Sequence, residues 1–309
     1  MKDVIETNYN IPVDNIIESN NISSFVFEKE TYIFAFFNRS LAELKELVDC
    51  CVDLKNAGLK TLIFIPNNRN SFVTKVNDDN YVLLQLIPNY KEVVDLEEII
   101  DNNKKYIVSN KYQQLYRNKW ATLWSKKLDY YEYQVHELGK DKTIILNSFG
   151  YYAGLATNAI ALVNSCSRLY NPQVDHLVLA HRRIFFPNYR LNYYNPINFI
   201  FDIETRDIAE YIKKAFFYNQ DALLDLVTYL RSSKISSYSG QMLFARLLYP
   251  SYYFDVYDRI MNSNANQDQL IDIIKRVDEY ELFLKKAYRE ISKYASIEKI
   301  DWLTGLKEH

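Results

Sequence analysis

Between residues 181 and 207 the sequence gathers the side chains best suited to chemistry. His181 and Asn188 stand at the spacing His-x-Asp-x-x-x-x-Asn, and Asp202 closes the short apolar run Phe199-Ile200-Phe201. That order suits phosphoryl transfer. The reaction needs an aspartate to take the proton of the attacking hydroxyl, an asparagine and a second aspartate to hold magnesium, and a lysine and a closing loop on the phosphates. The proton-acceptor position holds Arg183. A guanidinium has no acceptor lone pair and stays protonated in proteins, so no general base works from there. Asn188 and Asp202 remain as candidate metal ligands, but two oxygens are too few for magnesium unless substrate phosphates complete the set. The favoured reading of Asp202 is therefore a cap on the turn and helix that open at Thr205. Asp207 falls in the first turn of that helix, where its charge suits the dipole, and reads as a structural acid bonded to backbone near His181–Arg183. His181 reads as a packed loop histidine. Arg182 and Arg183, with Arg190 nearby, form a basic cluster able to hold an anion by charge-assisted bonds. Pairing with Asp202, Glu204 or Asp207 is the plainer reading of that cluster.

The elements that must position these residues fall into two parts. The first part reads β-β-α-β-β-β. Ser24–Phe27 and Thr31–Phe37 are aromatic and β-branched runs around Glu28-Lys29-Glu30, which predicts a hairpin. Ser40 and Glu43 form a capping box. Leu41, Leu44, Leu47, Val48, Cys51 and Leu54 follow at helical spacing until Gly58 stops the helix. Thr61–Ile65 predicts a strand, and Ser71–Val76 and Tyr81–Ile87 a second hairpin. Pro88-Asn89 reads as a boundary between an N-terminal β-rich lobe, 1–88, and a helical lobe, 89–309. In the latter, Lys111–Leu138, Leu146–Val163, Thr205–Tyr218, Asp221–Leu230, Gly240–Tyr249 and Gln267–Ser296 predict helices. His176–Ala180 and Asn198–Asp202 predict two small strands. The expected fold is α+β on the bilobal, protein-kinase-like plan: a small antiparallel β lobe with one helix and a larger, mainly α-helical lobe. Fold-level analogy of this kind says nothing about activity.

Composition narrows the rest. The 309 residues are 48% hydrophobic and 25% charged, which excludes a disordered chain. Thirty-seven Lys and Arg against 39 Asp and Glu argue against a nucleic-acid partner. No apolar run approaches ~18 residues, so no membrane span is expected, and MKDVIETNYN has no apolar core of a signal peptide. Three cysteines suit a reducing, cytoplasmic setting. The 6 glycines form neither a dinucleotide fingerprint nor a phosphate loop. No Gly-x-Ser-x-Gly elbow and no Cys-x-x-Cys pair occurs, so hydrolase triads and zinc sites find no support. The 27 tyrosines read as compositional bias.

The run Asn188…Asp202…Arg206-Asp207-Ile208-Ala209-Glu210-Tyr211 resembles the spore-coat-associated kinase-like proteins of the CotS/YutH type, and the YutH type above all, within the aminoglycoside- and choline-kinase-like superfamily. Lys119-Trp120 with Trp124-Ser125-Lys126-Lys127-Leu128, Ser148-Phe149-Gly150-Tyr151-Tyr152, and Ala245-Arg246-Leu247-Leu248-Tyr249-Pro250 with Tyr253-Phe254 carry the same resemblance, from about Thr31 to Ile260. It implies a kinase-like fold and an association with endospore coats. In active relatives the strand after the first hairpin carries the phosphate lysine; here that position is Ala35. Glu43 and Glu46, left without an ion-pair partner, read as a cap and a solvated helix face. With Arg183 at the base position, Ala35 at the lysine position and no glycine loop, the expected function is a catalytically degenerate kinase-like protein, a pseudokinase. It would act as a binding or assembly module with no cofactor, whose partner is another protein such as a spore-coat component. The expected location is the cytoplasm, and the spore coat where the source organism sporulates. One alternative is a divergent phosphotransferase acting on an alcohol group, with ATP, and with magnesium on Asn188 and Asp202. A second is a protein holding an anionic or sugar-like ligand in an inter-lobe cleft lined by His181, Arg182, Arg183, Asn188, Asp202 and Asp207.

Overall fold

The computed structural model describes residues 1–19, 22–106, 111–139, 141–171, 175–263 and 265–305. In chain order its first elements are α1 (Lys2–Tyr9), β1 (Ile16–Ser19), β2 (Ile22–Phe27), β3 (Glu30–Phe36), α2 (Leu41–Asn56), β4 (Ile63–Ile65), β5 (Thr74–Val76), β6 (Asp79–Gln85) and α3 (Leu96–Lys105). Then come α4 (Trp120–Leu138), α5 (Thr143–Leu169), β7 (Leu177–His181), α6 (Arg190–Tyr193), β8 (Phe199–Ile203), α7 (Thr205–Phe217) and α8 (Ala222–Ser232). The last are α9 (Ser237–Leu248), α10 (Ser251–Ser263), α11 (Ile271–Ile274), α12 (Val277–Ile291) and α13 (Asp301–Thr304). The architecture is α+β, with a small antiparallel sheet and a larger helical part. It divides into two units: residues 1–116 with 181–201, and residues 117–180 with 202–309.

In the first unit six strands form an antiparallel sheet in the order β1-β2-β3-β6-β4, with β5 also on β6. Glu28 and Lys29 take left-handed conformations, φ 49° and 70°, and make the two-residue turn that joins β2 to β3. Such a turn matches the twist of the strands it connects, and it fixes the register that pairs Ala35 with Ile22 and Val82. Two elements here lie outside the expected β-β-α-β-β-β order. Helix α1 and edge strand β1 precede it, and Ile5 and Tyr9 of α1 pack with Phe25, Phe34, Tyr81 and Leu83 on one sheet face. Few apolar residues mark α1 in the sequence; the sheet supplies the rest of its core. Strand alternation sends Ile33 and Ala35 to the opposite face, and both are buried. Helix α2 begins with the expected capping box: Ser40 Oγ accepts from the Glu43 N–H, and the Glu43 carboxylate accepts from the Ser40 N–H. It ends with Gly58 at φ 76°. The Leu59 N–H bonds to the Leu54 carbonyl and the Gly58 N–H to that of Lys55, the paired bonds of a Schellman cap. Pro88-Asn89 lies inside this unit, because residues 90–94 hydrogen-bond along 188–191: Val94 N–H to Asn188 O at 2.7 Å, Arg190 N–H to Glu92 O at 2.8 Å, Leu191 N–H to Tyr90 O at 2.9 Å.

The second unit is built around α9, which is buried along its whole length from Ser239 to Leu248. A side chain at Gly240 would collide with Ala295 at 2.5 Å, so the absent Cβ lets the segment after α12 lie against α9. Three expected helices differ in extent. The one drawn over Lys111–Leu138 starts at Trp120; Tyr112 instead stacks on Phe201 at 5.5 Å within the first unit, and the Leu115 carbonyl accepts from the Phe201 N–H. The stretch Gln267–Ser296 is broken into a 3-10 turn, α11 and α12. Helix α5 is longer than Leu146–Val163, and its Gly150 and Gly154 lie on the exposed side with nothing within 4 Å of either position, so one face is buried rather than the whole helix. Strands β7 and β8 form a two-stranded sheet. Among the described residues no helix is long and apolar enough to cross a membrane.

Candidate functional site

The residues expected to carry chemistry are shared between the units. In the first unit His181, at the end of β7, is buried. Its Nε2 lies 2.6 Å from the Tyr193 carbonyl, and its ring packs on Tyr193 at 4.3 Å and edge-on to Phe199 at 5.4 Å. Arg182 and Arg183 follow with exposed side chains. Asn198 clamps the main chain at Arg183, accepting from its N–H at 3.0 Å and donating to its carbonyl at 2.6 Å. Arg182 donates to Asn38 Oδ1 at 3.3 Å. Arg190 pairs with Glu92 at 2.7 Å and Glu98 at 3.6 Å. Asn188 is buried; its side-chain amide lies 3.5 Å from the Val94 carbonyl, and its Oδ1 finds no donor among the described residues. Glu43 pairs with Arg39 at 3.0 Å, while Arg39 also donates to the carbonyls of Ile197 and Phe199. Glu46 accepts from the Gln114 N–H at 2.9 Å rather than standing as a free solvated acid.

In the second unit Asp202 is the centre of a buried charge cluster. Strand β8 delivers it at the mouth of α7, and it is 3% exposed. Its Oδ2 accepts from Trp120 Nε1 at 2.7 Å and from an Arg246 Nη at 2.9 Å, and lies 3.5 Å from Arg206. Its Oδ1 accepts from the next backbone N–H, that of Ile203, at 2.8 Å. Both guanidiniums sit 4.3 Å from the Trp120 ring, so the indole lies against two cations while its N–H reaches the anion. Burial pushes the Asp202 carboxyl up, against the stabilising pull of Arg246 and Arg206. Burial likewise lowers Arg246, to about 10. Arg206 also approaches Asp207 at 3.9 Å. One turn further along α7, Lys213 donates to Glu210 at 2.9 Å, to Ser251 at 2.7 Å and to the Tyr249 carbonyl at 3.2 Å. Burial alone would raise Glu210, but Lys213 together with Arg206 and Arg246 outweighs it and holds the carboxyl at about 2. Asp202, Asp207 and Glu210 face Arg206, Arg246 and Lys213, and the cluster is balanced in formal charge.

Trp120, Arg206 and Arg246 were not singled out by spacing. Arg206 has a sequence signal, since it stands at i+4 from Asp202. Arg246 has one too: a lone cation in the apolar run Met242–Leu248 has to be paired once that helix is buried. The cysteines play no part. All three are buried, and burial pushes the Cys51 and Cys166 thiols up to about 12, far from thiolate reactivity. Among the described residues no group of three metal-ligating side chains comes together.

Solved structures with this fold include kinase-like phosphotransferases. An aminoglycoside phosphotransferase from Alicyclobacillus acidocaldarius superposes with a TM-score of 0.66 over 95% of this chain and 97% of its own, at 11% identity. A spectinomycin phosphotransferase gives 0.56 over 94% and 97% at 13% identity. A microcompartment-associated aminopropanol kinase gives 0.54 over 94% and 96% at 12% identity. At such identities the likeness is one of fold. The family described as "Spore coat putative kinase YutH" matches residues 2–287, and the chain belongs to that family. The endospore coat-associated protein YutH of Bacillus subtilis is 29% identical over 211 residues; that match spans 60% of this chain and 61% of the relative's length.

Proposed function

We propose that this chain is a pseudokinase, a kinase-like protein that binds rather than phosphorylates and serves as an assembly module of the endospore coat. The saturation of Asp202 carries the reading. Trp120 and Arg246 already donate to one carboxylate oxygen, the Ile203 N–H donates to the other, and Arg206 stands 3.5 Å away. A divalent cation placed there would sit beside two buried guanidiniums and would upset a cluster whose charges balance. Magnesium asks for near-octahedral oxygen ligands, and the groups around Asp202 are donors: an indole N–H, two guanidiniums and a backbone N–H. The donor set does not fit the ion, nor the triphosphate it would bring. Arg183 at the base position and Ala35 at the lysine position support the same conclusion, since the reaction then lacks both a proton acceptor and a phosphate cation. The family and its curated relative in Bacillus subtilis support the coat association.

The test pairs binding with turnover. Magnesium and ATP are expected to leave the melting midpoint unchanged, and no ADP is expected to form with aminoglycosides or small amino alcohols as acceptors. Micromolar, magnesium-dependent ATP binding with turnover that Asp202→Ala abolishes would overturn the reading.

A further inference from the structure

We infer that α4 carries the pairing face of a homodimer, in which a second copy of this chain lays its own α4 antiparallel along the first about a two-fold axis. The inference goes beyond the pseudokinase reading and does not depend on it.

Helix α4 has two distinct faces. Trp124, Leu128, Tyr131 and Gln134 are buried, and Tyr131 and Lys127 both reach Asp258 of α10, at 2.9 Å and 3.3 Å. Away from that side, Leu123, Lys126, Tyr130, Tyr133 and Glu137 recur at steps of three, four, three and four. That spacing sets side chains in one stripe, the pattern by which two helices pack along their length. All five are exposed. Leu123, Tyr130 and Tyr133 are 45%, 50% and 63% exposed. Single apolar residues on a surface need no explanation. Here Tyr130 and Tyr133 are three positions apart and so neighbours on the helix surface, and the aliphatic stem of Lys126 bridges from them toward Leu123. Three large apolar residues on one helical stripe are the kind of feature that marks interaction sites. The Tyr130 hydroxyl is held in place by Gln134 Nε2 at 2.8 Å. Tyrosine offers wide contact with a polar tip and is enriched at interfaces.

The order of charges selects a second copy as the partner. The stripe is cationic at Lys126, apolar at Tyr130 and Tyr133, and anionic at Glu137, so it complements itself when reversed. With the axis at the level between Tyr131 and Glu132, Tyr130 faces the partner's Tyr133 and Lys126 faces the partner's Glu137. Each contact occurs twice because a two-fold interface is isologous. Beside the stripe, Asp129 meets the partner's His136. A slide that brings the axis to Leu128 would instead set Asp129 against the partner's Asp129, a like-charge contact that disfavours that register. Lys126 makes no ion pair among the described residues, whereas Lys127 beside it is held by Asp258. The Glu137 carboxylate meets the ring of its neighbour His136 at 2.8 Å through Oε1, and Oε2 is the atom for the incoming lysine. The overlap of residues 126–137 is about 18 Å of helix, so the interface is small and the association belongs to the weak, reversible class.

The experiment is sedimentation velocity on the full chain from about 1 to 200 μM, the range a small interface requires. The intact chain is expected to pass from monomer to dimer across that range. Lys126→Glu and Glu137→Lys, each alone, should weaken the dimer at least about tenfold, because each sets like charges face to face twice. The two together reverse both members of the pair and should restore affinity to within about threefold of the intact chain, the signature of residues in direct contact. Tyr133→Ser should weaken the dimer roughly three- to tenfold, as loss of an anchor does. All three positions are exposed, and unchanged melting midpoints verify that the variants fold. A chain that is monomeric at every concentration overturns the proposal and leaves the stripe to a different protein. A dimer that neither single reversal weakens overturns it by showing that another surface pairs the chains. Single reversals that weaken the dimer without mutual rescue overturn it as well, since the two charges then do not face each other. None of these outcomes bears on ATP turnover, which judges the pseudokinase reading by itself.

Discussion

Arg246 and Arg183 carry the same charge into opposite surroundings. Arg246 is 1% exposed, bonded to Asp202 and stacked on Trp120; the Arg183 side chain is exposed on a loop whose main chain Asn198 holds. A buried guanidinium is stable only with its anion and its hydrogen bonds in place, so it locks one arrangement of β8, α4, α7 and α9. An exposed one adds little to stability. Within one chain, then, the charges of the aspartate cluster serve the fold, and those of the arginine loop lie at exposed positions. The Asp202 carboxylate is closed by its donors Trp120 and Arg246.

Substitutions can break or sharpen that contrast. Arg246→Met leaves the Asp202 carboxylate buried with its closest cation gone and is expected to cost about 3–5 kcal/mol in urea unfolding; a loss below about 1 kcal/mol would mean the cluster is not a lock. Asp202→Asn keeps an acceptor for Trp120 but strands two guanidiniums, for an expected loss of about 2–4 kcal/mol. A double-mutant cycle between the two positions should return a coupling of about 1–3 kcal/mol, and additivity would separate them. Glu210→Gln removes the partner of Lys213 and should cost about 2 kcal/mol at neutral pH. Its sharper signature is in acid. The Glu210 carboxyl lies at about 2, below its ordinary 4.5. A depressed carboxyl stabilises fully above its unfolded-state value, and that contribution is lost as pH falls through the folded one. From pH 4.5 down to about 2 the natural chain should lose stability more steeply than Glu210→Gln, and parallel unfolding curves would refute this assignment. At the small end, Arg182→Ala with Arg183→Ala should shift stability by no more than about 0.5 kcal/mol; a shift as large as that of Arg246→Met would erase the contrast.

Much of the local structure was legible. The Ser40–Glu43 box, the Gly58 stop and the Glu28-Lys29 turn involve residues within a few positions of one another, and all three form as the pattern predicts. Strands β7 and β8 lie within a residue of their expected places because short β-rich runs between polar loops leave few other choices. Helix α1 escaped because its apolar residues are few and gain their partners from the sheet. The true start of α4 escaped because residues 111–116 hold apolar positions at helical spacing yet satisfy them on α2 and β8: Tyr112 bonds to Asp53 and stacks on Phe201. Of the buried charge cluster, the sequence singled out Asp202 and Asp207, and it left the partners of Asp202 open.

The amino-acid order alone determined the caps, the turns and the alternation of the strands, since each depends on residue type and short spacing. Tertiary structure decided what Asp202 is. Its partners Trp120 and Arg246 lie 82 and 44 positions away, and only folding brings them within hydrogen-bond distance. In a low-dielectric interior a carboxylate's role follows from the donors that surround it in space, and no spacing along the chain records that shell.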